Sequence, residues 1–370
     1  MMKVVVSGYV GKKVTGIGRN LINMLDNTSG DTEYIVYTNH DMKDELAFSA
    51  PNVRVRTYGV TRNSSLKNLL WTTFVFPFKV KKEKADIALI PNFNLLLFKF
   101  RPTAVIMHDL IEFNVPDKFS RLRMFYRTRL ADPITARRAD RIVTDSYSSE
   151  RDIMKYLGIK KSKISVVYCG VDQQKFRRMD EDRSDEIFAE KGWPDDFLLY
   201  AGTIDHPGKN PMSVIKAYEL LRKNRKYSGS LILAGMPGSG YEAVKTYAER
   251  SPYSSDIVFT GFVTDEELIA LYSRCGVFVF VSLYEGFGLP PLEALSCGAR
   301  TVVSNTSSLP EVVGDVGITV DPKDIKAIAA AVYKSLNSSS DSAYNERVRE
   351  HLKNYDWNRL GIEFEKAIRI

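Results

Sequence analysis

Glu285 and Glu293 bracket a glycine turn and a proline pair in the stretch EGFGLPPLE. The strongly apolar run before them ends at Ser282, and Pro290 and Pro291 stand where a first helical turn tolerates proline, so the segment reads as strand, turn and helix. Such a turn presents successive backbone N–H groups at a helix N-terminus, where partial positive charge favours an anion such as a diphosphate. Two carboxylates flanking that point, on a helical scale of ~12 Å for eight residues, can accept hydrogen bonds from hydroxyls on either side of a diphosphate. Alternatively, Glu285 is a capping acid and Glu293 a solvated helix residue. A second phosphate element is AGTIDHPGKNP, residues 201–211, where Lys209 follows a glycine turn near the start of a helix and can act as a point charge; the plain alternative is a solvated lysine. His108 and Asp109 close the apolar run TAVIM, the position at which α/β sheets carry functional groups, with a satisfied core histidine as the competing view.

These residues need elements to hold them. Short β-branched runs at 3–7, 33–38, 53–57, 86–90, 103–107, 141–145 and 163–168 alternate with segments of helical spacing such as Gly16 to Leu25 and Arg121 to Arg138. The charged stretch 177–196 breaks the rhythm and reads as a linker. A second series follows at 197–202, 230–235, 256–261, 276–282, 300–304 and 317–320, separated by helical patterns at 209–223, 264–273, 289–297 and 323–336. The polar run 335–345 reads as a surface loop. Alternation of this kind predicts two successive doubly wound α/β domains, each with its ligand groups at the carboxyl ends of its strands and the two facing each other across a cleft.

Length and composition agree. A chain of 370 residues with 44% hydrophobic and 26% charged residues has the make-up of a globular protein of two domains, not of a disordered or fibrous chain. The longest nearly uncharged apolar stretch, 68–78, is far short of the ~20 residues a bilayer requires. The start MMKVVVSGYVG lacks the pattern of a secretory signal, and a cytoplasmic protein is expected. Cys169, Cys275 and Cys297 are too widely spaced for a metal site or a disulfide framework and read as buried thiols. No H-x-x-H or H-E-x-x-H spacing occurs, and the acidic triplet at 180–182 lies in the charged linker and not after a strand, so no metal is expected. The net charge of +7 hides an asymmetry: residues 1–178 hold 31 Lys+Arg against 17 Asp+Glu, the remainder 21 against 28. The basic first half is thus expected to meet an anionic surface or ligand.

With these residues in place, the chain resembles the retaining glycosyltransferases of the GT-B fold, specifically glycosyltransferase family 4. The match rests on E-GFGLPPL-E, on GARTVVSNTSSLPEVVGD (298–315), on VFTGFVTDEELIALYSRC (258–275), on CGVD (169–172), on His108-Asp109 and on the first glycine loop. The resemblance implies two Rossmann-like domains, 1–172 with a returning C-terminal segment 357–370 on the acceptor side and 173–356 binding the donor. It implies transfer of a hexose, from GDP-mannose or a UDP- or dTDP-sugar, to a glycan or lipid-linked acceptor with the anomeric configuration kept and without metal or other cofactor. Glu293 matches the family's ribose-binding glutamate and Glu285 the acid at the donor sugar. The backbone of Gly286, Phe287, Gly288 and Leu289 matches the turn holding the distal phosphate, and Thr260 to Val263, with Phe262, the stretch that meets the nucleobase. Lys209 would stabilise the leaving diphosphate, Gly16 would approach it, and His108 would lie against the donor sugar. Many members carry an arginine where Thr203 or Gly208 stands here; its replacement is open, with His206 one option. Leu21 in place of a third glycine disfavours a dinucleotide fingerprint in the first loop.

The stretch 66–84 interleaves Trp71, Phe74, Phe76 and Phe78 with Lys79, Lys81, Lys82 and Lys84, and a second basic segment spans 119–141. Aromatics beside cations suit the headgroups of an anionic membrane, with the protein peripheral on its inner face, or an acceptor carrying a lipid phosphate; equally, the aromatics belong to the core and the lysines to water. Two rival functions stay open: a nucleotide-sugar epimerase of the same fold, and a nucleic-acid binder suggested by the pI of about 9.0 but lacking a recognised motif.

Overall fold

The computed structural model describes residues 1–8, 16–43, 45–58, 65–91, 95–99, 101–115, 120–338 and 342–370. The chain divides into two compact units, Met1–Gly170 with Tyr355–Ile370, and Val171–Asn354.

The first unit is built on β1 (Met2–Ser7), β2 (Thr32–Asn39), β3 (Val53–Tyr58), β4 (Ile87–Ile90), β5 (Thr103–Ile106), β6 (Arg141–Thr144) and β7 (Ile164–Val166). All pair in parallel, in the order β3-β2-β1-β4-β5-β6-β7. Central strands are buried on both faces, which is why they read as continuous apolar runs, whereas edge strand β3 alternates and turns Arg54 and Arg56 outward. The second unit carries β8 (Phe197–Ala201), β9 (Ser230–Ala234), β10 (Ile257–Gly261), β11 (Val277–Phe280), β12 (Thr301–Ser304) and β13 (Ile318–Val320). Its sheet is also parallel, in the order β10-β9-β8-β11-β12-β13. In each sheet the direction of winding reverses beside the first strand, between β1 and β4 and between β8 and β11, and these are the places where α/β sheets open a crevice for ligands.

The stretch 177–196 is not an irregular linker. Helix Glu181–Lys191 occupies most of it, buries Ser184, Ile187 and Phe188, and ends at Gly192 in the left-handed region. Its short apolar face is masked in sequence by the surrounding charge. The polar run 335–345 is likewise shorter as a loop than expected: one helix runs to Leu336 and the next, Ser342–Leu352, starts inside it, while 339–341 lie outside the described residues.

The C-terminal helix Trp357–Ile368 packs into the first unit against helix Gly16–Asp26. A Cβ on Gly361 would stand 2.1 Å from the carbonyl oxygen of Asn27, so only glycine allows this approach. Glu365 is buried and accepts hydrogen bonds from the Ser29 N–H at 3.1 Å and from the hydroxyls of Ser29 and Thr32. Burial alone would raise its pKa, but these donors together with Arg369 hold it below the usual glutamate value.

Candidate active site

The second unit's crevice is framed by the segments that leave β8 and β11. After β8 the chain reaches Lys209, and after β11 it reaches Glu285. The two side chains meet there, with Lys209 Nζ donating to Glu285 Oε1 at 2.9 Å and the Ser282 hydroxyl donating to the same oxygen at 2.8 Å. Lys209 also sits 5.2 Å from the centre of the Phe280 ring. Both members keep part of their surface, 24% for the lysine and 17% for the glutamate, so a ligand can reach them. Two backbone ties lock the segments together. Leu283 N–H donates to the Gly208 carbonyl at 2.9 Å, and buried Asn210, left-handed at φ 57°, donates through Nδ2 to the carbonyls of Val281 and Pro322 at 3.0 and 2.8 Å.

Helix Leu289–Ser296 begins immediately after the turn, with Pro290 and Pro291 in its first turn and Gly288 at φ 116° as the capping residue. A Cβ on Gly288 would lie 2.6 Å from Leu309 Cδ2, so both the conformation and the space demand glycine. Phe287 is buried beneath the turn. Glu293, half-buried in the helix, accepts from the hydroxyl of buried Tyr272 at 3.4 Å. Burial, with the Glu293 charge second, pushes that hydroxyl well above its ordinary pKa and keeps it a donor. The two glutamates therefore have separate partners: Glu285 faces a cation at the crevice, and Glu293 is oriented from behind by a tyrosine. A cation (Lys209), the N–H groups of a helix N-terminus and two carboxylates, types of group able to meet an anion and hydroxyls, are thus gathered beyond the carboxyl ends of the central strands β8 and β11.

A glycine at the end of each of three neighbouring strands is a further signal in the sequence. β8, β9 and β10 each run into a glycine at positive φ, Gly202 at 145°, Gly235 at 147° and Gly261 at 69°. Gly202 N–H donates to the Ala234 carbonyl and Gly235 N–H to the Gly261 carbonyl, both at 2.9 Å. A Cβ on Gly235 would stand 2.0 Å from the Gly202 oxygen. Three neighbouring strands thus end in a stepped row of side-chain-free backbone. Thr260 to Val263 continue from this row on β10, the edge strand two positions from β8. There the Thr260 hydroxyl donates to the Gly261 carbonyl at 3.1 Å, Phe262 is 71% exposed, and Val263 is half-buried.

His206, the possible stand-in for a second phosphate cation, is half-buried, and its pKa is lowered by that burial first and by the nearby Lys216 second. It is therefore mostly neutral at pH 7 and a poor substitute for arginine.

The remaining predicted residues, His108 and Gly16, belong to the first unit. His108 follows β5 and is buried. Its Nδ1 lies 2.7 Å from Asp145 Oδ2, just after β6, and its Nε2 lies 3.2 Å from the carbonyl of Pro91, just after β4. Both partners can only accept, so the ring fits the site best as an imidazolium with two N–H donors. Burial opposes that charge, but Asp145, by charge and by hydrogen bond, outweighs it and the pKa is raised. The backbone is held too, the His108 carbonyl accepting from Ser149 Oγ at 3.0 Å. A ring donating from both nitrogens has no lone pair for a proton and is no general base in this state. Buried Cys169 lies beside the same Asp145, and its thiol is pushed well above its ordinary pKa by burial and then by that carboxylate. Cys275 and Cys297 are buried thiols as well. Gly16 is the exposed first residue of its helix, with open space around an added Cβ, and the loop 9–15 before it lies outside the described residues. Among the described residues, no group of three His, Cys, Asp or Glu side chains is arranged to hold a metal ion.

Residues 183–355 match the family model described as Glycosyl transferases group 1, and residues 16–175 match that of Glycosyltransferase Family 4. The chain is 35% identical over 256 residues, 67% of its length, to the serotype-specific mannosyltransferase WbdA of Escherichia coli, and the matched stretch spans only 30% of that relative. It is 24% identical over 357 residues, 95% of either chain, to the O-antigen chain mannosyltransferase RfbU of Salmonella typhimurium. Among solved structures, Anabaena Alr3699/HepE in complex with UDP and glucose aligns with a TM-score of 0.75 at 17% identity over 99% of both chains, a likeness of fold. The lipopolysaccharide glycosyltransferase WaaG aligns with a TM-score of 0.72 at 15% identity over 99% of this chain and 98% of that one.

Proposed function

We propose a donor, an acceptor class and a mechanism from the premise that this chain belongs to the family 4 type of glycosyltransferases, as the matches to its two halves show. The donor is a hexosyl nucleoside diphosphate, and the mannosyltransferase relatives favour mannose, as GDP-mannose. The acceptor is a growing surface glycan or its lipid-linked precursor. The observation that carries the reading is the Lys209–Glu285 pair at the β8/β11 crevice, beside a glycine turn that opens a helix.

The diphosphate sits between Lys209 and the backbone N–H groups of Gly286, Phe287, Gly288 and Leu289. Glu293 accepts from the ribose hydroxyls, Glu285 from the sugar, and the backbone of Thr260 to Val263 meets the base beside Phe262. The acceptor oxygen bonds to the anomeric carbon on the face from which the diphosphate departs, so the configuration is retained. The bond from that carbon to the phosphate oxygen breaks with its electrons on the phosphate, which takes the acceptor's proton. Negative charge grows on the leaving group, and the fixed N–H donors and Lys209 are placed to stabilise it without a metal. His108 is left a positioning role within the first unit, where it ties the ends of β4, β5 and β6 together. Transfer to an acceptor, and not epimerisation of the donor, is favoured by the transferase relatives.

The first unit's surface supports a membrane-bound acceptor. Leu70, Phe74 and Phe78 recur every four residues and are all exposed, with Lys81 and Lys82 beside them. Exposed Leu122 and Phe125 lie among Arg121, Arg123 and Arg129. Apolar side chains in water next to cations suit an anionic bilayer face. No helix among the described residues is long and apolar enough to cross a membrane, so this contact is peripheral.

The test is incubation with GDP-mannose, UDP-glucose, UDP-galactose and dTDP-rhamnose and a mannose-terminated or lipid-linked acceptor, with and without a chelator. Consumption of GDP-mannose in both conditions, with an axial α-linkage by NMR, is expected. An inverted linkage, or activity lost on chelation, overturns the mechanism.

A further inference from the structure

The segment joining β12 to helix Leu309–Val313 reads Asn305-Thr306-Ser307-Ser308, and with Ser304 it forms a row of hydroxyls lying along the glycine turn. The bonds follow the turn residue by residue. Ser304 Oγ donates to the Ser282 carbonyl and Thr306 Oγ1 to the Leu283 carbonyl at 3.2 Å. The Glu285 N–H donates to Ser307 Oγ at 3.0 Å. The single proton of Ser308 Oγ is shared, in a three-centre hydrogen bond, between the carbonyls of Glu285 at 3.0 Å and Phe287 at 2.5 Å. Ser304 and Ser308 are fully buried. Ser307 is held left-handed at φ 52°, which costs an L-residue energy and persists only where its surroundings over-determine it.

In a trans peptide the C=O and N–H point in opposite directions across one plane. A hydroxyl that fixes the carbonyls of Glu285 and Phe287 therefore also fixes the N–H directions of Gly286 and Gly288. Both are then aimed to the side of the turn away from Ser308. A glycine turn would otherwise be free to rotate these planes, since neither glycine has a Cβ to restrict it. Preorganised N–H donors stabilise developing charge only if they do not have to reorient as it develops.

We propose that Ser308, supported by Ser307, is a positioning residue for the diphosphate: its hydroxyl sets the two backbone N–H groups that receive the distal phosphate, while touching no substrate itself. This rests on the reading of the 286–289 turn as the phosphate cradle, and its test separates the two.

Binding of GDP against GMP, and of UDP against UMP, would be measured by calorimetry for the wild-type protein and for Ser308→Ala, Ser308→Thr, Ser307→Gly and Lys209→Ala, each with its melting temperature. The wild-type protein is expected to prefer a diphosphate over its monophosphate. Ser308→Ala should lower that preference about tenfold through lost orientation of two donors, with monophosphate affinity unchanged, and Ser308→Thr, which keeps the hydroxyl, should retain it. Ser307→Gly relieves the left-handed backbone, so folding is not at risk, and should lower the preference several-fold by freeing the Glu285 N–H. If folded Ser308→Ala and Ser307→Gly keep the full preference while Lys209→Ala loses it, the hydroxyl clamp is wrong and the cradle stands. If Lys209→Ala keeps it as well, or the wild-type protein shows none, the cradle itself is wrong. A fall in mono- and diphosphate affinity together would make the serines merely structural.

Discussion

The two sheets share a winding pattern but treat the polar groups at their strand ends in opposite ways. In the second unit the ends of β8 to β10 are bare glycine backbone, and the turn after β11 is braced by neutral hydroxyls, so the charged groups there, Lys209 and Glu285, stay part-exposed. In the first unit the charges are driven inside. His108 and Asp145 form one buried pair. Arg127 stands 3.3 Å from Glu112 and 3.2 Å from Asp132, all three buried, and the half-buried Asp109 carboxyl, which accepts from the Ile111 N–H, adds a third acid to the cluster. Burial pushes Asp132 up to about 7, with Arg127 too weak a counterweight and Glu112 and Asp109 adding to the rise. Topology supplies the same strand arrangement twice; among the described residues, the charged groups at the strand ends stay part-exposed in one unit and are paired in the interior in the other.

The largest expected effect sharpens that contrast. Lys209→Ala should lower turnover by about 10² to 10³, the cost of removing one group that stabilises a developing anion, and Glu285→Gln should lower turnover more than affinity for bare diphosphate. Steady-state release of nucleoside diphosphate measures both, and a loss under about fivefold would move the chemistry elsewhere. Next in size, Glu293→Ala should weaken nucleoside diphosphate binding by ~1.5 to 3 kcal/mol, as expected for hydrogen bonds to a charged group, with turnover at saturating donor little changed. Calorimetry beside saturation kinetics separates the two quantities.

On the first unit, replacing Phe74, Phe78, Lys81 and Lys82 by serine together should abolish co-sedimentation with anionic vesicles at low salt while nucleotide affinity stays the same. Each engaged lysine contributes ~1 kcal/mol near such a surface and is screened by salt. A wild-type protein that ignores the vesicles would break this side of the comparison. Smallest in its effect on turnover is a change that acts on stability. Asp132 keeps its proton in the folded state up to about pH 7, against an ordinary 3.8. Between those values the folded state binds more protons, so stability falls as pH rises and the loss is complete above about 7. Asp132→Asn removes that slope, so its stability relative to the wild-type protein should rise by up to about 4 kcal/mol between pH 4 and pH 8 in urea melts.

Much of this was legible because doubly covered parallel strands must be apolar along their whole length. Among the described residues, twelve of the thirteen strands coincide with apolar runs, within a residue or two at their ends, and edge strand β3, with Arg54 and Arg56, shows as an alternating one. The EGFGLPPLE turn was legible because proline and glycine at a helix start leave few conformations. The aromatic stretch was not. Trp71 and Phe76 enter the core while Phe74 and Phe78 face out, because the chain makes a π-helical turn over Trp71–Val75 and residues five apart share a face there. Lys79, grouped by sequence with three solvated lysines, instead lies 5.4 and 5.2 Å from the rings of Tyr37 and Tyr58.

What the sequence determined by itself is therefore local: where strands lie, where a helix can begin, and which residue types could meet an anion. Period, propensity and the special geometry of glycine and proline act over a few residues and need no partner. Only the tertiary structure decided that Lys209 meets Glu285, that Tyr272 backs Glu293, that Asp145 holds His108 and that Ser308 braces a turn twenty residues earlier in the chain. A serine in a loop has no periodic signature, and a hydrogen bond between distant residues exists only once the sheet has set their strand ends side by side.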